Sequence, residues 1–325
     1  MQAQETVKDR AISKLERDMG DVLRAALNDP KTVEVMLNPD GILWQERLGE
    51  PVKQIGTMTP AQAVSMLNTI AGFHKMEVSR SNPILECELP TDGSRFAGQI
   101  PPVVPNPSFA IRKKAISVFT LEQYLEAGTM TEEQFAAIKA AVKAHRNILV
   151  VGGTGSGKTT LVNAIIQEMT QVCPGERLVI IEDTGEIQCS APNFVQFHTS
   201  GEVSMTDLLK TTLRMRPDRI LVGEVRGAEA LDLLMAWNSG HEGGAATLHA
   251  NGAEEGLSKL EMLVSMNPNA PRDIPALVGQ VADVVVHIAR DSLGRKVRSV
   301  IAVERYDATC GKYVFTSTDQ SHGGD

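Results

Sequence analysis

One octapeptide limits what this chain can fold into more than any other feature: Gly152-Gly153-Thr154-Gly155-Ser156-Gly157-Lys158-Thr159. It fills the pattern G-x-x-x-x-G-K-[ST], which works only between a buried strand and a helix. Small residues let the backbone curl so that successive N–H groups meet phosphate oxygens, and the helix N-terminus adds its positive dipole end. Lys158 then brings a point charge to the β- and γ-phosphates, and the Thr159 hydroxyl can ligate Mg2+. The flanks agree: Ile148–Val151 is a short apolar run, and Lys158–Thr170 reads as a helix. A dinucleotide fingerprint G-x-G-x-x-G fails, because Gly153-x-Gly155 reaches Lys158 and Gly155-x-Gly157 reaches Thr160. Gly153, Thr154, Gly155, Ser156, Gly157, Lys158, Thr159 and Thr160 are therefore the candidate nucleotide-binding residues.

The pattern around this loop predicts a doubly wound α/β sheet. Short apolar runs at Ile148–Val151, Leu178–Ile181, Ile220–Val222 and Ala245–Leu248 alternate with helical stretches at Met205–Arg214 and Ala228–Trp237. Ala282–Ile288, Lys296–Val303 and Lys312–Phe315 read as an antiparallel edge, and Ser317–Asp325 as a disordered end. The region before residue 118 lacks that alternation. An amphipathic helix over 7–27 leads to a hairpin around Asn38-Pro39-Asp40-Gly41, then a helix at Ala61–Phe73 and strands at Arg95–Ile100 and Phe109–Ile111. This is an α+β pattern. Between the two, Thr120 with Gln123 and Thr131 with Gln134 fit the capping box that opens a helix. The expected organisation is an N-terminal domain over 1–118, a helical connector over 119–145 and an ATPase-type domain over 146–325.

Composition excludes several classes. No apolar run approaches the ~20 residues of a membrane span, and the start has no apolar leader, so a cytoplasmic location is expected. The four cysteines form no C-x-x-C pair, which argues against zinc and against a disulfide framework. The net charge is −8, which disfavours tracking along nucleic acid. Arg112, Lys113 and Lys114 make only a small, solvated basic patch.

A bound triphosphate still needs a group to activate water. Glu182 with Asp183, and Glu224, follow apolar runs whose C-termini border the ligand site of an open α/β sheet. Glu224 is the first choice for orienting water, with Glu182 second. Gly223 occupies the place of the usual Walker B Asp, so Thr159, waters, Glu182 and Glu224 share the expected Mg2+ contacts. His249 is placed to touch the γ-phosphate or the water. His241-Glu242 begins like a zinc motif, but Ala245 stands where H-E-x-x-H needs His. No N-K-x-D motif supports GTP.

These motifs occur in a specific order: the phosphate loop, Ile181-Glu182-Asp183-Thr184-x-Glu186, Leu213-Arg214-x-Arg216-Pro217-Asp218, Leu221-Val222-Gly223-Glu224-Val225-Arg226, and Gly240-His241 with Thr247-Leu248-His249-Ala250-Asn251. Together they resemble the secretion ATPases of type IV secretion and conjugation systems, and more closely the TrbB-type conjugal-transfer ATPases. Arg95-Phe-x-Gly98 with Ile111-Arg112-Lys113 resembles the family's N-terminal domain. The resemblance implies a RecA-like P-loop ATPase domain behind a smaller N-terminal α+β domain. It implies Mg-dependent ATP hydrolysis with Glu182, Glu224 and His249 as catalytic residues. It also implies that Arg95 and Arg112 reach the nucleotide. The implied assembly is a homohexamer on the inner face of the cytoplasmic membrane, working with membrane components of a secretion or conjugation machine. The alternatives are a RecA-like DNA helicase and an ATP-binding assembly scaffold with little turnover. The acidic charge and the 4% aromatic content oppose the first. No sequence-specific nucleic-acid binding is expected.

Overall fold

The computed structural model describes residues 2–48, 50–113, 118–291 and 294–318, with side chains from residue 8 onward. The chain divides into two compact units, Met1–Ile116 and Ser117–Asp325.

The first unit runs α1 (Gln2–Asn28), β1 (Thr32–Leu37), β2 (Ile42–Arg47), β3 (Lys53–Thr57), α2 (Pro60–Phe73), β4 (Ile84–Glu88), β5 (Arg95–Gln99) and β6 (Ser108–Arg112). Its sheet has the order β3-β2-β1-β6-β5-β4, with every pair antiparallel. The hairpin turn forms because Asp40 accepts from the Ile42 amide (2.9 Å) and Asn38 O from the Gly41 amide (2.9 Å). Alternate residues Val35, Phe96 and Ile111 are buried with Leu23 of α1 and Leu67 of α2. The opposite register row carries charge: Glu46, Glu34, Arg112, Arg95 and Glu88 stand side by side across five strands. The N-terminal helix is broken at Gly20, which takes a non-helical conformation.

The second unit runs α3 (Leu121–Glu126), α4 (Glu132–Lys143), β7 (Ile148–Val151), α5 (Lys158–Val172), β8 (Leu178–Glu182), β9 (Phe194–His198), α6 (Met205–Thr212), β10 (Arg219–Val222), α7 (Glu229–Trp237), β11 (Ala245–Leu248), α8 (Ala253–Ser265), α9 (Ile274–Val281), β12 (Val284–Asp291), β13 (Gly294–Asp307) and β14 (Lys312–Ser317). The sheet order is β14-β13-β12-β7-β11-β10-β8-β9. Every residue of β7, β8, β10 and β11 is buried, because helices cover both faces. One face packs Leu149 and Val222 against α7 and α8; the other packs Val150 and Ile180 against α4 and α5. This is the doubly wound α/β architecture, beside a smaller sheet-containing first unit.

Three expectations change. First, β12 is not part of an antiparallel edge: it pairs parallel with β7 (Val284↔Ile148), and the antiparallel section begins at β13. Helices α8 and α9, between β11 and β12, supply the crossover that makes this parallel pairing possible. Second, the segment expected as a connector lies in the second unit. Both capping boxes form as read, but Leu121, Ile138 and Val142 join the core beneath α5. Third, β14 extends to Ser317, and 319–325 lie outside the described residues.

Candidate functional site

Strand β7 delivers the phosphate loop at the C-terminal edge of the sheet, between β12 and β11. Gly157 caps α5 in the left-handed region (φ 100°), a conformation that glycine adopts without the steric cost of a Cβ. Lys158 is buried, and its ammonium donates to Gly152 O and Gly153 O, both at 3.0 Å. It also lies 3.4 Å from His249 Nδ1. Thr159 and Thr160 open the helix behind it, and Ser156 is 2% exposed.

The expected carboxylates divide the work differently from the sequence reading. Glu182 ends β8 and is 2% exposed. Its Oε2 accepts the amides of Glu186 and Ile187 (both 3.0 Å), and its Oε1 accepts from Gln196 and lies 3.4 Å from His198 Nε2. One oxygen organises the 183–187 turn, and the other holds β9 through Gln196 and His198. That turn presents Glu186, whose Oε2 accepts the Thr159 hydroxyl at 3.2 Å. A hydroxyl and a carboxylate in contact form the hard-oxygen donor set that Mg2+ prefers, so these residues fit that ion. The reading from sequence took the first acid of the Glu182–Glu186 box. The signal for Glu186 was its place four residues after a strand end, where a turn reverses toward the loop.

Glu224 follows β10 and faces two ways. Its Oε1 lies 2.7 Å from His249 Nε2. Its Oε2 accepts from Arg226, through Nε at 2.8 Å and through Nη2. Arg226 Nη1 continues to Asp183 Oδ2 (2.8 Å), and Asp183 Oδ1 accepts the Thr199 hydroxyl (2.9 Å). One polar line thus runs Lys158–His249–Glu224–Arg226–Asp183 across four adjacent strand ends. Burial and then the Lys158 charge hold the His249 imidazole below its ordinary pKa, against the opposing pull of Glu224. A neutral ring facing an ammonium through Nδ1 must accept there, which assigns the proton to Nε2, the nitrogen that lies beside Glu224. An open cleft of about 280 Å³ extends from Gly153 and His249 past Asn251 to Glu255 and Lys259.

Gly223, in place of an Asp, has a packing cause. A Cβ there would stand 2.8 Å from the Glu182 Cβ, so any side chain would push Glu182 off its turn.

Other candidates fall outside this cluster. Arg95 and Arg112 face each other in register on β5 and β6 of the first unit. Lys113 is not a solvated charge: its ammonium donates to Leu27 O (2.6 Å) and Asp29 O (3.1 Å), fastening β6 to the end of α1. Lys114 lies outside the described residues. His241 lies 3.2 Å from the Ser239 hydroxyl. No helix among the described residues is long and apolar enough to cross a membrane.

Comparison with known proteins gives concordant matches. Residues 56–316 match the family described as "Type II/IV secretion system protein". A probable conjugal transfer protein TrbB of Sinorhizobium fredii is 48% identical over 297 residues, covering 91% of each chain. Among solved structures, the VirB11 ATPase of the Brucella suis type IV secretion system, in complex with sulphate, superposes with a TM-score of 0.50 at 29% identity, covering 91% of this chain and 96% of that one. The pilus retraction motor PilT with bound ADP gives a TM-score of 0.62 at 17% identity, covering 92% and 83%, a likeness of fold.

Proposed function

This chain belongs to the type II/IV secretion system protein family, and from that membership we propose that it is an ATP-hydrolysing motor of a conjugation or type IV secretion machine. The observation that carries the proposal is the contact line from Lys158 through His249 to Glu224 at the mouth of the phosphate loop. In this reading Gly153 to Thr160 cradle the phosphates through backbone N–H groups, and Lys158 exchanges its loop carbonyls for β- and γ-oxygens. Thr159 and Glu186 would hold Mg2+, and its charge would offset that of the bound phosphates. Glu224 orients the attacking water and accepts its proton. His249 leaves Lys158 when the phosphates arrive and donates through Nε2 to keep Glu224 aimed. Glu182 acts as the strut that sets the Glu186 turn, and Arg226 holds the second oxygen of Glu224.

Arg95 and Arg112 are proposed to assist the bound nucleotide from the first unit, since a guanidinium fork suits phosphate geometry. The proposed assembly is a homohexamer, peripheral on the inner face of the cytoplasmic membrane and docked to membrane components of the machine. The relatives named for conjugal transfer and type IV secretion support a place in such a machine.

The test is phosphate release by the purified protein, with light scattering for its mass. Lys158→Ala should abolish turnover while remaining folded. Glu224→Gln should bind Mg-ATP yet hydrolyse it at least about a hundredfold more slowly, because an amide cannot take the proton. Normal turnover by folded Lys158→Ala sinks the assignment. A large, length-dependent stimulation by added DNA would favour a nucleic-acid motor instead.

A further inference from the structure

The sheet order gives the nucleotide a direction. Strands β11 and β10, carrying His249 and Glu224, lie on one side of β7, and β12 with β13 lies on the other. The γ-phosphate end belongs with His249 and Glu224, so the nucleoside leaves the loop on the β12 side. There the β12–β13 hairpin presses on the loop. Ile288 O lies 2.2 Å from where a Cβ on Gly152 would stand, and Arg295 Cδ 3.0 Å from one on Gly157. Arg295 Nε donates to Gly155 O at 3.4 Å, which lays the guanidinium along the outer shoulder of the loop.

The same shoulder carries an aromatic wall. Strand β13 is bound to the turn between α3 and α4 through Val297 N to Thr129 O (2.8 Å) and Lys296 Nζ to Gly128 O (2.5 Å). Phe119, just ahead of α3, is 42% exposed and meets the buried Tyr124 ring edge-on at 6.2 Å. Thr129, the residue that β13 grips, also donates its amide to Tyr124 O at 2.8 Å, so the turn that holds this ring pair is fixed to the strand that carries Arg295.

Building on the nucleotide-binding reading above, we propose that Phe119 and Arg295 form the nucleobase subsite, with the planar guanidinium on one face of the adenine ring and the Phe119 ring on the other. Aromatic rings and Arg planes grip a base by stacking, with little hydrogen-bond readout. The subsite therefore favours purines by ring area and distinguishes adenine from guanine weakly.

Calorimetry with Mg-ADP and with Mg-pyrophosphate, which has no base, separates this subsite from the phosphate loop. The wild type should bind ADP more tightly than pyrophosphate. Phe119→Ala and Arg295→Ala should each weaken ADP about tenfold, as expected for loss of one stacking face. Both should leave pyrophosphate within about twofold. Phe119 is exposed and can be truncated without disturbing the core, so it decides the matter if Arg295→Ala does not fold. Unchanged ADP affinity in Phe119→Ala, or parallel loss of both ligands in both variants, overturns the subsite. A wild type that binds pyrophosphate and ADP equally overturns the subsite alone; one that binds neither overturns the nucleotide reading itself.

Discussion

At Glu186 a single carboxylate oxygen touches the Thr159 hydroxyl. Glu186→Gln keeps the size and loses the charge, so the Mg2+ concentration for half-maximal ATPase rate should rise about tenfold, in line with the usual cost of losing one oxygen ligand or its support. A magnesium titration of the variant checks this. At His249 the sign runs with burial. Its folded pKa lies below the ordinary imidazole value, so the unfolded chain takes up the proton first. The neutral ring's contribution is intact above the unfolded pKa and weakens as pH falls through it. In an NMR titration the His249 midpoint should lie below that of a free histidine, and Mg-ADP should move it upward as Lys158 turns to phosphate. No movement would mean that Lys158 stays with His249. The phosphate loop, Glu224 and His249 could be read from sequence because each follows an apolar run that a sheet must bury, and they do converge. Glu186 could not, since only the fold shows that Glu182 spends one oxygen on the turn and the other on β9. Arg226 escaped notice for a similar reason: two of its three donors go to Glu224, which is two residues away, and chain order alone does not show an arginine folding back on its neighbour.

Arg219 shows how elements are locked together far from the phosphates. It begins β10, is 0% exposed, and donates to Glu176 (2.5 Å), Gly243 O (2.9 Å) and Val142 O (3.2 Å). It thereby ties the strand to the end of α4, the turn after α5 and the entry to β11. His145, Cys173 and Glu176 gather close enough to suggest a metal site, but the guanidinium lies among them, 3.1 Å from His145 Nε2 and 3.8 Å from Cys173 Sγ. Its fixed positive charge opposes a cation there. Arg219→Leu removes the guanidinium from Glu176 Oε2 and from two carbonyls, breaking a buried ion pair, and should cost about 3–5 kcal/mol in urea unfolding. Burial raises the Glu176 pKa, but hydrogen bonds from Arg219 and His145 outweigh it, and the carboxyl sits below its usual range. That stabilisation is present above the ordinary carboxylate pKa and lost as pH falls toward the folded value, so acid unfolding of Arg219→Leu should begin at a higher pH than in the wild type. At this scale the sequence revealed the buried strands, whose apolar runs are unbroken, and the helices with capping boxes. Missing from that reading were β3, β4, β9, α8 and α9. Neither β3 nor β9 contains a fully buried residue, which weakens their apolar signal. In α8, two acids in the first turn and the buried Gly256 blur its apolar stripe.

Across the whole molecule the charge row Glu46–Glu34–Arg112–Arg95–Glu88 keeps the two arginines in neighbouring register positions. If they serve the nucleotide as proposed, Arg95→Ala with Arg112→Ala should slow ATP turnover at least about tenfold while Mg-pyrophosphate still binds the phosphate loop, a split that paired rate and calorimetric measurements would expose. Equal turnover would return both residues to a role in the first unit's sheet. The order of strands in the larger sheet also bears on how the protein is made. β7 pairs with β11 and β12, so Ile148 faces Ala245 and Val284, partners that leave the ribosome 97 and 136 residues later. The phosphate loop is translated well before either partner, so the strand that carries it has no neighbour on either side until β11 and then β12 emerge. A nascent chain should therefore gain its grip on ATP only after β11 and β12 have both emerged to flank the strand beneath the loop.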